Sequence, residues 1–325
     1  MVDVFGTLGP ACESEEILEQ MFANGMTGMR INLSHVKLFD CKNQIEIIKR
    51  AAQKAGVSPK ILIDMQGPEL RIGEIEYPIN LEEQDELILG TGGVPIDPRV
   101  ISAIATGMQI LLDDGKILAE VTETHDNQCV IKVLRGGVLS SKKSIALVGK
   151  TVDMPAMTDH DLENLKWAKE FGVTGIMQPF VRSREDLIRV REALASSGCE
   201  DIKVYAKIEN TIGVEHLASF LDLCDEVIIA RGDLGNSMPL WELPKVQKKI
   251  SKICRDDKKP FMVVTQMLSS MEHAKVPTRA EVSDIYNAVL DGATSVMVTG
   301  ETAIGEYPVD VILYMRKTAD QVFEK

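Results

Sequence analysis

The sequence predicts an α/β protein, a TIM (β/α)8 barrel with a small inserted all-β lid domain. Two observations predict it. Apolar runs of strand length alternate with amphipathic helical segments in eight successive units. This alternation is interrupted after the third strand, where short apolar and alternating runs are separated by Gly, Pro and Asp turns. We expect residues 1–67 and 154–325 to form the barrel and residues 68–153 to form the lid.

Two strand–helix units and the third strand precede the interruption. Ser14 is placed to cap the first helix, and Glu15 and Glu16 follow in its first turn, where carboxylates interact favourably with the helix dipole. Inside the inserted block, Asp113-Asp114-Gly115 separates two apolar runs and predicts a hairpin turn. The expected barrel elements in this part are strands 2–8, 27–33 and 60–65 and helices 14–24 and 39–55.

The strand–helix alternation resumes after the inserted block and completes the eight units. An open doubly wound sheet is the alternative, but such a sheet usually has fewer units and a Gly-rich fingerprint after its first strand, which this sequence lacks. The expected elements are strands 175–180, 203–208, 226–230, 261–265 and 295–298 and helices 159–171, 184–197, 214–223, 245–256, 280–290 and 309–324.

Composition indicates a globular protein with an ample core, since 45% of its 325 residues are hydrophobic and 26% are charged. Apolar runs fall short of the roughly 18 residues that cross a bilayer, and the N-terminus lacks the pattern of a signal peptide. We therefore expect a cytoplasmic protein with no membrane partner. The net charge of −13 argues against binding nucleic acid, although it does not exclude small phosphorylated substrates.

The six cysteines are scattered singly, without a Cys-x-x-Cys pair or a Cys/His cluster. Neither a zinc site nor a disulfide framework is indicated, and most of these cysteines are expected to be small buried apolar residues.

Polar residues collect at the expected C-terminal ends of the barrel strands, where the active sites of such barrels lie. Glu209 and Asp233 follow two consecutive strands and suit Mg²⁺ or Mn²⁺, although surface ion pairs at strand ends are the simpler interpretation of any single charge. The further polar residues at this end are Arg30, Asn32, Ser34, Asp64, Lys207, Arg231, Thr265, Gln266, Thr299 and Glu301.

Arg30 and Lys207 are candidates for holding a phosphate, whereas Arg231 is better suited to bracing the rim through an ion pair. Gly232 and Gly235 flank Asp233, and backbone N–H groups there could receive an anion, although a simple turn explains two glycines equally well.

Asn32, Ser34 and Asp64 form a second, oxygen-rich cluster that fits a monovalent cation. A hydrogen-bond network between the second and third strands explains the same residues.

Several longer stretches of the sequence resemble the pyruvate kinase family over essentially the whole chain. The matching stretches are TLGPACES, MRINLSH, IDMQGPELRIG, LDDGKI, GGVLSSKKSIAL, MPAMTDHDLENL, AKIEN, ARGDLG, VVTQMLSSM, PTRAEVSDIYNAVLDGAT and TGETAIGEYP. The family carries this barrel, a β lid and a further C-terminal domain that binds effectors in many members. This sequence ends after the helix that follows strand eight, so we expect that domain to be absent. A homo-oligomer is possible, but the absence of this domain puts the family's tetramer in doubt.

The resemblance implies a role for each matching site residue. Lys207 resembles the lysine that neutralises the transferred phosphoryl group, and Arg30 resembles the arginine that contacts it. Thr265 and Thr299 lie where a water relay could protonate the enolate. The resemblance also implies two cation sites: Mg²⁺ (or Mn²⁺) would bind Glu209 and Asp233, and K⁺ would bind Asn32, Ser34, Asp64 and the Met65 carbonyl, with Glu69 at the position that accompanies K⁺ dependence. The carboxylate of phosphoenolpyruvate would contact Gly232, Asp233 and Thr265. The implied nucleotide contacts are Arg71, His35, Lys142 and Lys143.

The surrounding positions depart from the family pattern. Thr299 stands where serine is usual, Ile304 where lysine is usual, and Met65-Gln66 where Thr-Lys is usual. Gln178-Pro179 replaces a small pair, and Asn236-Ser237-Met238 follows GDLG in place of Val-Glu-Ile. Because the metal, phosphate and potassium residues are kept, this pattern favours an active enzyme with altered surroundings of its site.

The implied function is that of a glycolytic pyruvate kinase, which converts phosphoenolpyruvate and ADP into pyruvate and ATP with Mg²⁺ and K⁺. One alternative is a catalytically silent regulatory or binding paralogue, which the altered surroundings suggest and the intact charged residues oppose. Another is a Mg²⁺-dependent aldolase or lyase acting through a pyruvate enolate, which would need neither nucleotide nor potassium.

Overall fold

The computed structural model forms two compact units, which we call the barrel unit and the β unit. The barrel unit comprises Met1–Gly67, Ala156–Gly232 and Pro244–Lys325, and the β unit comprises Pro68–Pro155 and Asp233–Leu243. The structure describes residues 2–34, 36–113, 115–150, 152 and 154–324. The grouping of Asp233–Leu243 with the inserted block was not expected from the sequence.

The barrel strands come before and after the inserted block, in the order that the sequence predicts. In chain order they are β1 (Asp3–Thr7), β2 (Gly28–Asn32), β3 (Lys60–Asp64), β4 (Ile79–Leu81), β5 (Glu86–Gly90), β6 (Gln109–Leu112), β7 (Ile117–His125), β8 (Gln128–Arg135), β9 (Gly137–Leu139), β10 (Ile145–Leu147), β11 (Gly175–Gln178), β12 (Lys203–Ile208), β13 (Glu226–Ala230), β14 (Phe261–Val264) and β15 (Ser295–Met297).

The helices carry clear start signals, since Ser14, Thr158, Ser183 and Thr278 each accept a hydrogen bond from the backbone of the first turn that follows. In chain order the helices are α1 (Glu15–Ala23), α2 (Lys42–Lys54), α3 (Pro98–Ala103), α4 (Asp159–Ala168), α5 (Arg184–Ser196), α6 (Thr211–His216), α7 (Arg231–Asn236), α8 (Leu243–Asp256), α9 (Arg279–Leu290), α10 (Gly300–Ala303) and α11 (Pro308–Asp320).

The barrel is closed by eight parallel strands in the order β1-β15-β14-β13-β12-β11-β3-β2. Parallel register places Asn32 opposite Asp64, and Lys207 opposite Ile228, so the residues at the strand ends reach the same rim. One apolar cluster joins residues of seven barrel strands: Phe5, Leu62, Met177, Tyr205, Ile228, Ala230, Met262, Val264 and Met297. The predicted (β/α)8 fold with an inserted β domain is confirmed.

The β unit contains a five-stranded antiparallel sheet in the order β10-β6-β7-β8-β5 and a two-stranded sheet formed by β4 and β9. Strands β6 and β7 pair with Leu112 opposite Ile117, as the predicted hairpin requires. Asp113 and Gly115 have positive φ values of 49° and 79°, and Asp114 lies outside the described residues. The core of the β unit is apolar and includes Leu89, Ile110, Val121, Ile131 and Val133.

Several sequence-based details are wrong. Strand β13 spans the expected residues, but Arg231 and Asp233, which the sequence placed at its end, lie in helix α7 instead. In place of the expected helix 214–223, the structure has α6, which begins three residues earlier at Thr211 after the N-cap Asn210. The 3-10 turns Leu217–Ser219 and Leu221–Leu223 follow it. The last helix ends at Asp320.

Two expectations from composition have structural counterparts. The six cysteines are buried and free, so the expectation of small buried apolar residues is confirmed. Within the described residues, no helix has both the length and the apolar character to cross a membrane.

Candidate active site

Four charged side chains meet where β2, β3 and β12 end. The Asp64 carboxylate accepts hydrogen bonds from Arg30 Nε at 2.9 Å and Arg30 Nη2 at 2.7 Å. Lys207 Nζ lies 3.2 Å from Asp64 Oδ1 and 2.9 Å from Glu209 Oε1. Lys207 and Glu209 share a face because strand side chains alternate, and barrel closure brings them to residues more than a hundred positions earlier. We call Arg30, Asp64, Lys207 and Glu209 the charged cluster.

The charged cluster is almost fully removed from solvent, with side-chain exposures of 13% for Arg30 and Lys207, 4% for Asp64 and 1% for Glu209. Burial alone would raise the pKa of Asp64, but the charges of Lys207 and Arg30 outweigh it and hold this pKa below its usual value. Burial opposes the charged form of Lys207, yet Asp64 and Glu209 raise its pKa above the usual value. Asp64 is therefore held as the carboxylate and Lys207 as the ammonium at neutral pH.

Glu209 is anchored by the backbone of a neighbouring loop as well as by Lys207. Its Oε2 accepts a hydrogen bond of 2.8 Å from the Phe180 N–H. Phe180 has a φ of 53°, a left-handed conformation that is uncommon for a bulky residue and that aims this N–H at the carboxylate. The loop after β11 thus takes part in orienting a predicted metal ligand.

Thr265 and Gln266 follow β14 in a strained conformation, with φ values of 80° and 54°. Positive φ at a β-branched residue is a genuine outlier and persists only where surrounding contacts impose it. Arg231 supplies such contacts, since its Nη2 donates to the Thr265 carbonyl at 2.7 Å and to the Gln266 carbonyl at 3.1 Å. Asp284 of α9 accepts from Arg231 Nη1 at 2.6 Å. The expected bracing role of Arg231 is confirmed.

Gly232 and Thr265 lie against each other at this rim. A Cβ built on Gly232 would lie 3.1 Å from Thr265 Cγ2, so a larger residue at position 232 would press on the threonine. The two groups predicted to receive a substrate carboxylate are therefore brought together, although their role stays a prediction.

Thr299, after β15, is held by the buried carboxylate of Glu301. Glu301 Oε2 accepts from the Thr299 N–H at 2.7 Å and from its hydroxyl at 3.3 Å, and Glu301 Oε1 accepts from the Leu268 N–H at 3.2 Å. Glu301 is 1% exposed. This side chain links the ends of β14 and β15 and fixes the direction of the Thr299 hydroxyl.

The oxygen-rich cluster lies on the segments that follow β2 and β3. Asn32 Oδ1 accepts from the Ser34 N–H at 3.1 Å, and Asn32 pairs with Asp64 in the sheet. Carboxylate, amide, hydroxyl and carbonyl oxygens suit a monovalent cation in their chemistry. The link between Asp64 and Arg30 of β2 is also an interstrand network, so both interpretations of the sequence agree with these contacts.

The described residues contain no group of three or more His, Cys, Asp and Glu side chains able to hold a metal. The two predicted divalent-ion ligands belong to different units, Glu209 to the barrel unit and Asp233 to the β unit, and their role stays a prediction. Two carboxylates nevertheless fit Mg²⁺, which commonly takes one or two protein oxygens and completes its shell with water and substrate phosphates. Asp233 lies in the first turn of α7 and Glu209 directly follows β12.

The predicted nucleotide contacts within the β unit form an ion-paired group. Arg71 Nη1 donates to the Lys142 carbonyl at 2.7 Å, and Arg71 Nη2 lies 2.5 Å from Glu69 Oε2. Lys142 pairs with Glu74 at 2.9 Å, and Lys143 pairs with Asp113 at 2.8 Å. His35 lies outside the described residues.

Sequence reasoning missed the residues that support the site. Glu301 was placed at the rim without a role, and Asp161, Asp284 and Gln66 were not assigned to the site at all. Thr158-x-x-Asp161 has the pattern of a capping box, which could have singled out Asp161 as a structural carboxylate. Asp284 gives no local signal, because its contact with Arg231 spans 53 residues.

Comparison with known proteins adds to this geometry. The model of the pyruvate kinase barrel domain matches residues 1–312. The chain belongs to the pyruvate kinase family. A similar protein of Aeropyrum pernix, named pyruvate kinase, is 38% identical over all of this chain and 71% of the relative. The pyruvate kinase of Bacillus licheniformis is 38% identical over 97% of this chain and 56% of the relative. That of Methylorubrum extorquens is 37% identical over 98% of this chain and 68% of the relative. The chain spans little more than half the length of the Bacillus relative.

Family membership confirms the resemblance, the enzyme class and the barrel fold expected from the sequence. It does not favour the silent paralogue or the aldolase. The individual site residues are not tested by it and stay predictions.

Proposed function

We propose that this chain transfers the phosphoryl group of phosphoenolpyruvate to ADP, which yields pyruvate and ATP. The observation that supports this most strongly is the charged cluster, which holds Arg30 and Lys207 side by side in a buried site. Phosphoryl transfer depends mainly on alignment and charge neutralisation, and fixed cations at low exposure provide both.

Asp64 has a central part in this proposal, because it bonds to both cations at once. A carboxylate that holds Arg30 and Lys207 before substrate arrives keeps them extended toward one point. The incoming phosphoryl group can then engage donors of the guanidinium and ammonium that are already oriented. Lys207 stays protonated throughout, since its pKa is raised, and it therefore acts as a fixed charge.

Glu209 and Asp233 would hold the divalent ion, Mg²⁺ or Mn²⁺, and Asn32, Ser34, Asp64 and the Met65 carbonyl would hold K⁺. Bound there, the divalent ion supplies positive charge to the phosphoryl and enolate oxygens. Glu209 is already oriented for this task by Lys207 and by the Phe180 N–H.

Thr265 and the backbone at Gly232 and Asp233 would receive the carboxylate of phosphoenolpyruvate. Thr265 has a left-handed conformation, and Arg231 donates two hydrogen bonds to its carbonyl. Thr265 and Thr299 would pass a proton to the enolate carbon through water. Glu301 accepts from the Thr299 hydroxyl and so restricts its rotation.

Residues 68–153 would act as the lid, with Arg71, Lys142, Lys143 and His35 contacting the nucleotide, and residues 1–67 and 154–325 as the catalytic barrel. Closure of such a lid excludes water that would otherwise accept the phosphoryl group. We further propose that the protein acts in glycolysis in the cytoplasm, as a possible homo-oligomer, without nucleic acid or membrane as partner.

The test is a lactate-dehydrogenase-coupled assay of pyruvate formation, with and without Mg²⁺ and K⁺, on the wild type and Lys207→Ala. We expect the wild type to require phosphoenolpyruvate, ADP and both cations, and Lys207→Ala to lose at least about 10²-fold in kcat, as when one preorganised transition-state donor is removed. Lys249→Ala, which removes an exposed lysine of α8, should retain wild-type rates. A folded wild type that forms no pyruvate contradicts the proposal.

A further inference from the structure

The first turns of α4 contact both segments that carry the proposed potassium ligands. His160 Nε2 lies 2.8 Å from the Leu33 carbonyl oxygen, next to Ser34. Asp161 accepts hydrogen bonds from the Gln66 N–H at 2.7 Å and from the Gly67 N–H at 3.0 Å, directly after Met65. One helix end therefore fixes the segment after β2 and the segment after β3 together.

Asp161 is fully engaged in this arrangement. Besides Gln66 and Gly67, it accepts from the Thr158 N–H at 2.8 Å and from the Thr158 hydroxyl at 2.9 Å. Its Oδ1 accepts from the Gln66 N–H, and its Oδ2 accepts from the Gly67 N–H and from both Thr158 donors, so both oxygens are bonded to uncharged donors. The residue is 0% exposed, and a buried carboxylate is tolerated only when its oxygens are hydrogen-bonded in this way.

The bond to Gln66 has a direct effect on the Met65 carbonyl. The Met65 C=O and the Gln66 N–H belong to one planar trans peptide group, in which they point in opposite directions. A bond that holds the N–H toward Asp161 therefore holds the Met65 carbonyl away from it. Asp161 sets the orientation of a proposed cation ligand that it does not touch.

The Gln66 side chain extends this support to the other segment. Its Nε2 donates to the Ser34 carbonyl at 3.2 Å. Its Oε1 lies 3.2 Å from the Thr158 hydroxyl and, with Asp161 Oδ2, shares that group's one proton. The Gln66 side chain thus contacts Ser34, while the Gln66 backbone N–H bonds to Asp161 of α4. A lysine at this position, the usual residue of the family, could not accept from Thr158.

We infer that Asp161 and Gln66 are positioning residues for a monovalent cation of the size of K⁺, and that they orient the Met65 carbonyl and the Ser34 segment that would bind it. This inference rests on the proposed function, because that function supplies the cation ligands. Residues that orient metal ligands without touching the ion commonly alter its affinity by about 10–100-fold when replaced.

The experiment compares wild type, Asp161→Asn and Gln66→Met in two measurements. The first is the unfolding temperature without substrates, in KCl and in tetramethylammonium chloride at equal ionic strength, which reports cation binding without turnover. The second is the K⁺ concentration that gives half-maximal rate. Asparagine keeps the shape of Asp161 but turns an NH₂ group toward backbone donors, and methionine keeps the length of Gln66 without its polar atoms.

We expect both variants to show a smaller KCl-dependent rise in unfolding temperature and Asp161→Asn to need at least about tenfold more K⁺, with a smaller effect on kcat at saturating K⁺. Asp159→Asn removes a charge from the same turn at an exposed position, and Ser183→Ala removes a helix cap from α5. Both controls should keep the wild-type response to K⁺, even if Ser183→Ala unfolds at a lower temperature.

A lower unfolding temperature of Asp161→Asn with an unchanged K⁺ response would overturn the inference and leave a purely structural role. A wild type that responds to K⁺ in neither measurement would overturn it as well. A wild type that K⁺ stabilises but that forms no pyruvate would contradict the proposed function only. The thermal measurement would still decide whether Asp161 and Gln66 position the cation.

Discussion

Lys207 Nζ lies 2.9 Å from Glu209 Oε1, and both side chains are nearly inaccessible to solvent. The proposed phosphate-binding cation and the proposed metal ligand therefore neutralise each other before any substrate or ion is present. Removing one partner of a buried pair leaves an uncompensated charge, and burial opposes the charged form of Lys207, so Lys207 depends on its carboxylate partners for its charge as well as its position.

Glu209→Gln should lose activity through the divalent ion. Glutamine cannot supply a carboxylate to the metal, and it removes one of the two anions that raise the pKa of Lys207. We expect a fall of about 10²–10³-fold in kcat, on the scale of one lost preorganised electrostatic group, together with a higher Mg²⁺ requirement. Coupled assays across Mg²⁺ concentrations measure both. Glu215→Gln, at an exposed position of α6, serves as the control, and a Glu209→Gln enzyme with an unchanged Mg²⁺ requirement would refute the metal role.

Arg231→Lys should raise the KM for phosphoenolpyruvate. Lysine keeps the charge near Asp284 but cannot bond to the Thr265 and Gln266 carbonyls at once in the planar geometry of arginine. Thr265 should then relax from its left-handed conformation. We expect KM to rise by about tenfold, equivalent to the loss of roughly 1.4 kcal/mol of binding, with kcat less affected. Steady-state kinetics separate the two, and Arg255→Lys on the exposed end of α8 provides a matched control. Equal KM values for Arg231→Lys and wild type would show that Arg231 does not hold Thr265 for substrate.

Glu226→Gln should stabilise the protein above neutral pH. Burial raises the pKa of Glu226 to about 7, and Asp3 adds to this, while bonds from Ser295 and Thr294 and the charge of Lys60 oppose it. Because the folded-state pKa lies above the unfolded value, the protonated form stabilises the fold fully below pH 4.5, and this stabilisation is lost as pH rises through 7.

Glutamine stays neutral and can still accept from Ser295, so its advantage should appear at pH 8 and vanish near pH 5. The gain at pH 8 should be at most about 3 kcal/mol, the value of the pKa difference. Urea unfolding monitored by circular dichroism at pH 5 and pH 8 measures it, with the exposed Glu242→Gln as control. A difference in unfolding free energy between Glu226→Gln and wild type that does not change with pH would contradict the raised pKa of Glu226.

Gly67→Ala should destabilise the barrel unit more than Gly56→Ala. Both glycines have positive φ, 61° and 72°. A Cβ on Gly67 would lie 2.2 Å from Pro179 Cγ, whereas a Cβ on Gly56 would meet nothing within 4 Å. Gly56→Ala should therefore cost only the left-handed conformation, about 1–2 kcal/mol, and Gly67→Ala should cost clearly more. Thermal unfolding followed by circular dichroism compares the two variants. Equal unfolding temperatures would show that Pro179 can move away from the added Cβ without loss of stability.

Local pattern predicted most of the fold. The barrel strands were expected within about two residues of their observed ends, because each is a short apolar run bounded by Gly, Pro or charge. The errors fall where local signals compete, as at Arg231 and Asp233, which follow the correctly predicted strand β13 directly but lie in the short helix α7. Family motifs supplied the roles proposed for the charged cluster.

The sequence by itself determined the eight strand–helix units, the inserted β block and the chemical types of the residues at the strand ends. The tertiary structure alone decided which of them meet: Asp64 with Lys207 across 143 residues, Arg231 with Asp284, and Asp161 with Gln66 across 95 residues. The physical reason is that periodicity encodes which face a side chain occupies, whereas contacts between distant segments depend on barrel closure and strand register. The strain at Thr265 has the same origin, because the contacts that maintain it come from other elements.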